Sequence, residues 1–110
     1  MTKKPLFFAF SILITLTCST LLCAADKDKS PKGDNLFKEK CASCHPDGGN
    51  IINAQKTLKK KDLAKNKLKN AADIVKYLRK PGPGMPAFDA TVLPDKDAKA
   101  IADHILKTFK

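Results

Sequence analysis

The sequence contains no tryptophan, one tyrosine and six phenylalanines in 110 residues. So few aromatics argue against nucleic-acid binding by base stacking, whatever the charge. Strand signals are also missing. No segment alternates β-branched and polar residues with the period of two that a half-buried strand requires, and no internal repeat is found. Acidic residues are scarce: 11 Asp plus Glu stand against 21 Lys plus Arg, a formal net charge of +10. Cysteine is scarce where it could crosslink. Cys18 and Cys23 fall inside an apolar N-terminal run, and only Cys41 and Cys44 lie in the polar remainder. That pattern excludes a disulfide framework. A four-ligand zinc site would have to be assembled from those two cysteines and two histidines far apart in the chain, His45 and His104.

What is present is concentrated in five residues, Cys41-Ala42-Ser43-Cys44-His45. Thiols at i and i+3 with an imidazole at i+4 share one face of a helical turn. C-x-x-C-H is the spacing of a covalent haem attachment site, and the histidine separates it from a bare C-x-x-C. Each thiol can add across a haem vinyl group to form a thioether, while His45 presents a ring nitrogen to the iron. A thioredoxin-like redox pair would need a preceding strand and a βαβ context. A plain disulfide would leave His45 unexplained.

Residues 1–25 read as an export signal. Lys3 and Lys4 precede an apolar stretch from Leu6 to Leu22, and Cys23-Ala24-Ala25 supplies small residues at a cleavage position. Retention of the stretch as a membrane anchor and lipidation at Cys18 or Cys23 are the alternatives. Thr17 and Leu22, which precede those cysteines, are not the small residues a lipobox uses. Cleavage after Ala25 would release a periplasmic protein of about 85 residues. Such a chain struggles to build a sufficient apolar core by itself. A buried porphyrin would serve as core as well as cofactor.

Residues 26–32 read as a charged, mobile leader, and 33–110 as one domain. Asp34 is placed to cap a first helix, and Phe37 shares its face with Cys41 and Cys44. Pro46 pushes His45 out of helical geometry. Asp47 to Asn50 form a turn cluster. The lysine-rich stretch 56–69 has leucines at 58, 63 and 68, which predicts one short helix near 57–65 and irregular chain after it. Asn70 and Asp73 are close to a capping box for the next helix, which Pro81-Gly82-Pro83-Gly84 stops. Pro94 and Asp95 open a last helix whose apolar face carries Ala98, Ile101, Ala102, Ile105, Leu106 and Phe109.

Met85 is the only methionine after the signal segment. It lies off any helix, between Pro-Gly-Pro-Gly and Pro86, where a rigid loop can bring a thioether to the open side of an iron. Methionine opposite histidine raises the haem potential. His104, mid-helix, is the rival sixth ligand, and loop filling is the ordinary role for Met85.

These pieces resemble the class I cytochromes c, in particular the small photosynthetic-type monohaem cytochromes of the c-six group. The resemblance covers nearly all of residues 33–106. It is carried by Gly33 to Phe37, Cys41 to Asn50, Thr57 to Leu63, the Met85-Pro86-Ala87-Phe88 run, and Ala100 to Leu106. It implies an all-α fold of about four short helices around one covalent haem c, with iron between His45 and Met85. It also implies a soluble single-electron carrier. In such proteins the first and last helices cross at a glycine and an aromatic. Gly33 and Phe37 match the first helix, whereas the last-helix aromatic is replaced by His104.

With both axial positions filled by protein, no site is left for substrate chemistry, so an enzyme is not expected. A haem enzyme or gas sensor would follow if Met85 did not ligate. A subunit of a membrane-tethered respiratory complex is the other alternative. Leu58, Leu63, Leu78, Phe88 and Ile101 are candidate pocket walls. The lysines are either solvated surface or a docking face for acidic protein redox donors and acceptors. The expected state is a monomer, with peripheral membrane association as an alternative and no nucleic-acid partner.

Overall fold

The computed structural model describes residues 31–110. The export signal over 1–25 and all but the last two residues of the 26–32 leader lie outside the described residues. Four α-helices follow: α1 (Pro31–Lys40), α2 (Lys60–Lys65), α3 (Ala71–Arg79) and α4 (Asp95–Thr108), with a 3₁₀ turn at Pro46–Gly48. Among the described residues there is no strand, as the missing period-two pattern predicts. No helix there is long and apolar enough to cross a membrane.

α1 starts at Pro31, so Asp34 lies within its first turn rather than capping it. There its carboxylate favours the positive end of the helix dipole and accepts from Lys38 one turn on at 2.7 Å. α3 is delimited as its sequence predicts. The Asn70 side chain accepts from the Asp73 N–H while the Asp73 carboxylate accepts from the Asn70 N–H, a reciprocal capping box. α2 begins at Lys60, later than the predicted residue 57. Residues 57–59 instead form a turn in which the Thr57 hydroxyl accepts from the Lys59 N–H.

α4 is the spine, with α1 and α3 both packed against it. Ala98, Ile101 and Ala102 are fully buried in it, and Phe37, Ile74, Leu78 and Leu93 close around them. The crossing with α1 is tight because Gly33 has no side chain. A Cβ there would fall against the Ala100 carbonyl oxygen and the His104 Cβ. The Phe37 ring lies 5.3 Å from His104 and 5.3 Å from Phe109, centroid to centroid. The expected Phe37–His104 pair is therefore part of a three-ring cluster. Phe109 supplies the apolar contact that a lone histidine would not.

Candidate functional site

The four sequence-predicted site residues converge on one groove. Cys41, Cys44, His45 and Met85 all line it. Counted together with the open solvent at its mouth, the groove spans about 1040 Å³. Leu58, Leu63 and Leu78 form its walls as predicted, joined by Leu68, Ile74 and Ile105. Phe88 and Ile101 do not line it. Ile101 faces inward between the helices and is wholly buried there. The Phe88 N–H is drawn onto the Leu78 carbonyl at 2.9 Å, which turns the residue against the helix core instead. His104 does not line the groove either; its ring belongs to the α1–α4 crossing.

Regular helix ends at Lys40, and the chain loosens through the motif. The Ala42 N–H reaches back five residues to the Phe37 carbonyl, which widens the turn, and the His45 N–H returns to the Cys41 carbonyl at 2.9 Å. The two thiols are not bonded to each other; Cys41 is buried and Cys44 half-buried. Burial pushes the Cys41 thiol up to about 11; nearby Lys40 opposes the rise and Cys44 adds to it. The unreacted thiol is thus protonated at neutral pH.

His45 is buried. Its Nδ1 lies 2.8 Å from the Gly49 carbonyl oxygen. A carbonyl only accepts, so Nδ1 carries the hydrogen and Nε2 keeps its lone pair. The carbonyl is held in place by local backbone. Asp47 and Gly48 both adopt positive φ, +52° and +76°. A Cβ on Gly48 would collide with the Phe109 ring. The Leu58 N–H donates to the Gly48 carbonyl at 2.8 Å, and the Lys60 N–H to the Phe109 carbonyl at 3.1 Å. The turn cluster is legible in the sequence. Which carbonyl meets His45 is not, because backbone acceptors carry no side-chain signature.

Met85, which lines the same groove as His45, is half-buried in the loop between α3 and α4. Tyr77 also lines the groove, and its hydroxyl accepts from the Gly82 N–H at 3.1 Å. Sequence reasoning missed this residue, although it follows Ile74 by three on α3 and so shares its face. An apolar groove with two thiols, an oriented imidazole and a thioether fits a covalently attached haem. Among the described residues no group of three or more His, Cys, Asp or Glu could hold a separate metal ion.

The charges are unevenly arranged. Four lysines on α1 and α4 are paired: Lys32 with Asp97, Lys38 with Asp34, Lys40 with Glu39 and Lys99 with Asp103, at 2.5–2.8 Å. Among the described residues, Lys56, Lys59, Lys60, Lys61, Lys65, Lys67 and Lys69 form no side-chain ion pair. Ile51 and Ile52, just before that stretch, are exposed at 63% and 64%, and Ile52 reaches the groove.

Comparison with known proteins identifies the family. Residues 28–105 match the family described as cytochrome C oxidase, cbb3-type, subunit III. The chain is 42% identical over 74 residues to cytochrome c6 of Microcystis aeruginosa, covering 67% of this chain and 90% of that protein. It is 39% identical over 94 residues to cytochrome c6 of Nostoc sp., covering 86% and 81%. Among solved structures it is similar to OmcF, outer membrane cytochrome F from Geobacter sulfurreducens. The TM-score is 0.70 at 40% identity, over 71% of this chain and 99% of that one. The chain belongs to the class I c-type cytochromes of the c6 group, single-haem electron carriers that hold one covalent haem c.

Proposed function

We propose that this protein is an exported, periplasmic, monomeric electron carrier with His45 and Met85 as axial ligands and Cys41 and Cys44 as the points of attachment. The observation that carries this reading is the convergence of these four residues on one apolar groove. Bound haem supplies a one-electron ferric/ferrous couple. The chain supplies the rest. Cys41 and Cys44 tether the group by thioethers. The Gly49 carbonyl fixes the His45 ring through Nδ1 and leaves Nε2 as the nitrogen that would bind the iron. The Met85 loop brings a soft ligand that favours the reduced state. Leu63, Ile74 and Leu78, each 4% exposed, keep water out. With His45 and Met85 both holding the iron, no position would be left for a substrate or gas, which fits a carrier and not an enzyme or gas sensor.

The partners are protein redox donors and acceptors with acidic docking surfaces. The unpaired lysines at 56–69 would steer them. Exposed Ile52 at the groove, with exposed Ile51 beside it in the chain, would give a dry contact. Lysine is strongly hydrated and suits loose encounter, which a carrier needs in order to leave quickly. The match to an oxidase subunit favours a second reading, in which the domain serves as a haem subunit of a membrane-tethered respiratory complex. The mass and membrane retention of the mature protein separate the two.

The ligation is tested by spectroscopy. The ferric holoprotein should show a weak far-red sulfur-to-iron band, which Met85→Ala should abolish while lowering the potential. If His104→Ala removes a ligand while Met85→Ala changes nothing, the assignment is wrong. Acidified organic solvent should fail to extract the colour, and free extraction would contradict attachment through Cys41 and Cys44.

A further inference from the structure

The loop that carries Met85 has little apolar anchoring of its own. Gly82 and Met85 are half-buried, Pro83, Gly84, Pro86 and Ala87 are not packed into the core, and Gly84 sits at φ +90°. Between Gly82 and Phe88, the single backbone bond within the segment is the long one from the Met85 N–H to the Gly82 carbonyl, 3.4 Å. Yet α3 grips it at both ends. At the start, the Tyr77 hydroxyl accepts from the Gly82 N–H at 3.1 Å. A Cβ on Gly82 would stand 2.9 Å from that hydroxyl, so the ring and the backbone are in direct contact. At the end, the Arg79 guanidinium donates to the Phe88 carbonyl at 2.7 Å and to the Asp95 carboxylate at 2.5 Å. The Phe88 N–H returns to the Leu78 carbonyl at 2.9 Å.

We infer that Tyr77 and Arg79 are positioning residues that clamp the Met85 loop at its two ends and thereby hold the thioether in the groove. The inference rests on the reading of Met85 as a ligand. It also separates Arg79 from the docking cations. Its side chain is 23% exposed and both of its polar contacts are spent on the loop and the start of α4. The planar guanidinium makes those two contacts at once, whereas an ammonium is a single point charge. Neutral and charge-assisted hydrogen bonds differ about twofold in strength, so the Arg79 end is the stronger of the two.

The test compares wild-type, Tyr77→Phe, Arg79→Gln and Arg79→Lys holoproteins. The readouts are the ferric far-red band as temperature is raised and carbon monoxide binding by the ferrous form, with far-UV circular dichroism as the control for folding. Loss of one such bond should raise the population with Met85 displaced about fivefold for Tyr77→Phe and about tenfold or more for Arg79→Gln. The band should therefore fade well below the temperature at which the helices melt, and carbon monoxide should gain access in the same proportion. Arg79→Lys should fall between wild type and Arg79→Gln, and it stands in for Arg79→Gln if that variant fails to load haem. Band loss that merely tracks helix melting in all variants, with carbon monoxide binding unchanged, would overturn the clamp and leave the ligation intact. A wild-type protein with no far-red band that binds carbon monoxide directly would overturn the ligation reading and the clamp together.

Discussion

The α1–α4 crossing and the groove face are built on different terms. At the crossing, side chains complete the core by themselves. Gly33 lets the backbones meet, Ile101 and Ala102 are fully buried, and four of the surface lysines are paired with carboxylates. On the groove face, α2 is only six residues long and the connecting chain is mostly turns. There the apolar side chains face a groove instead of each other, and the lysines are unpaired. One face is finished by the polypeptide, while the other is left open for the cofactor and keeps its positive charge. Ion pairs on exposed helices add little stability. The pairing on α1 and α4 therefore matters more for where the net positive charge remains than for holding the fold.

The largest effect should come from denying the groove its cofactor. The Cys41→Ser, Cys44→Ser double variant should retain no covalent haem and should lose cooperative melting followed by circular dichroism. A small chain with an open apolar face lacks the burial to offset its conformational entropy. A sharp melt near the wild-type midpoint would show that the crossing alone suffices.

A glycine on each face sharpens the contrast next. Gly33→Ala should cost about 1–3 kcal/mol by overpacking, lowering the melting midpoint by roughly 4–8 °C per kcal/mol, with the potential unmoved. Gly48→Ala meets the Phe109 ring and a positive φ, so its stability loss should be similar. It should also shift the potential, because the adjacent Gly49 carbonyl orients His45. Equal potentials in the two variants would remove the distinction.

Charge reversal gives a smaller effect. Lys76 and Lys80 are exposed just ahead of the Met85 loop, and reversing both, Lys76→Glu with Lys80→Glu, should slow electron transfer to an acidic redox partner in stopped flow and flatten its salt dependence. Lys38→Glu with Lys99→Glu, on the paired face, should do neither. Salt should slow the wild type, since the Debye length falls from about 10 Å at 0.1 M to about 3 Å at 1 M.

The smallest effect concerns acid. A hydrogen bond from the Thr57 hydroxyl, ahead of attraction by Lys65 and Lys61, holds the Asp62 carboxyl below its ordinary 3.8. A depressed folded-state value stabilises the fold above the ordinary carboxylate range, and that contribution is lost as pH falls through the depressed value. Thr57→Val should therefore leave a shallower decline in melting temperature below pH 3.8. An unchanged acid slope would contradict this.

Much of this architecture is legible in the sequence because side-chain chemistry encodes it. C-x-x-C-H, the Asn70–Asp73 box, the apolar face of α4 and the Pro-Gly framing of Met85 each announce themselves by residue type and spacing. What escapes is whatever depends on backbone groups or on distant packing. The Gly49 carbonyl that sets the His45 tautomer has no sequence signature. Phe88 is apolar and adjacent to the Met85 loop, yet its backbone bond to Leu78 turns it away from the groove. Arg79 reads as one more surface cation until the fold brings the Phe88 carbonyl and Asp95 to it. The rescue of the Phe37–His104 contact by Phe109 depends on the chain end folding back over Gly48.

The central claim is that both axial positions at the iron are filled from this chain, by His45 and Met85. Exposure of the reduced holoprotein to carbon monoxide at neutral pH tests it most directly. The absorbance spectrum should remain that of the reduced protein. Prompt conversion to a carbon monoxide complex would mean an open sixth position, and a sensor or enzyme in place of a carrier.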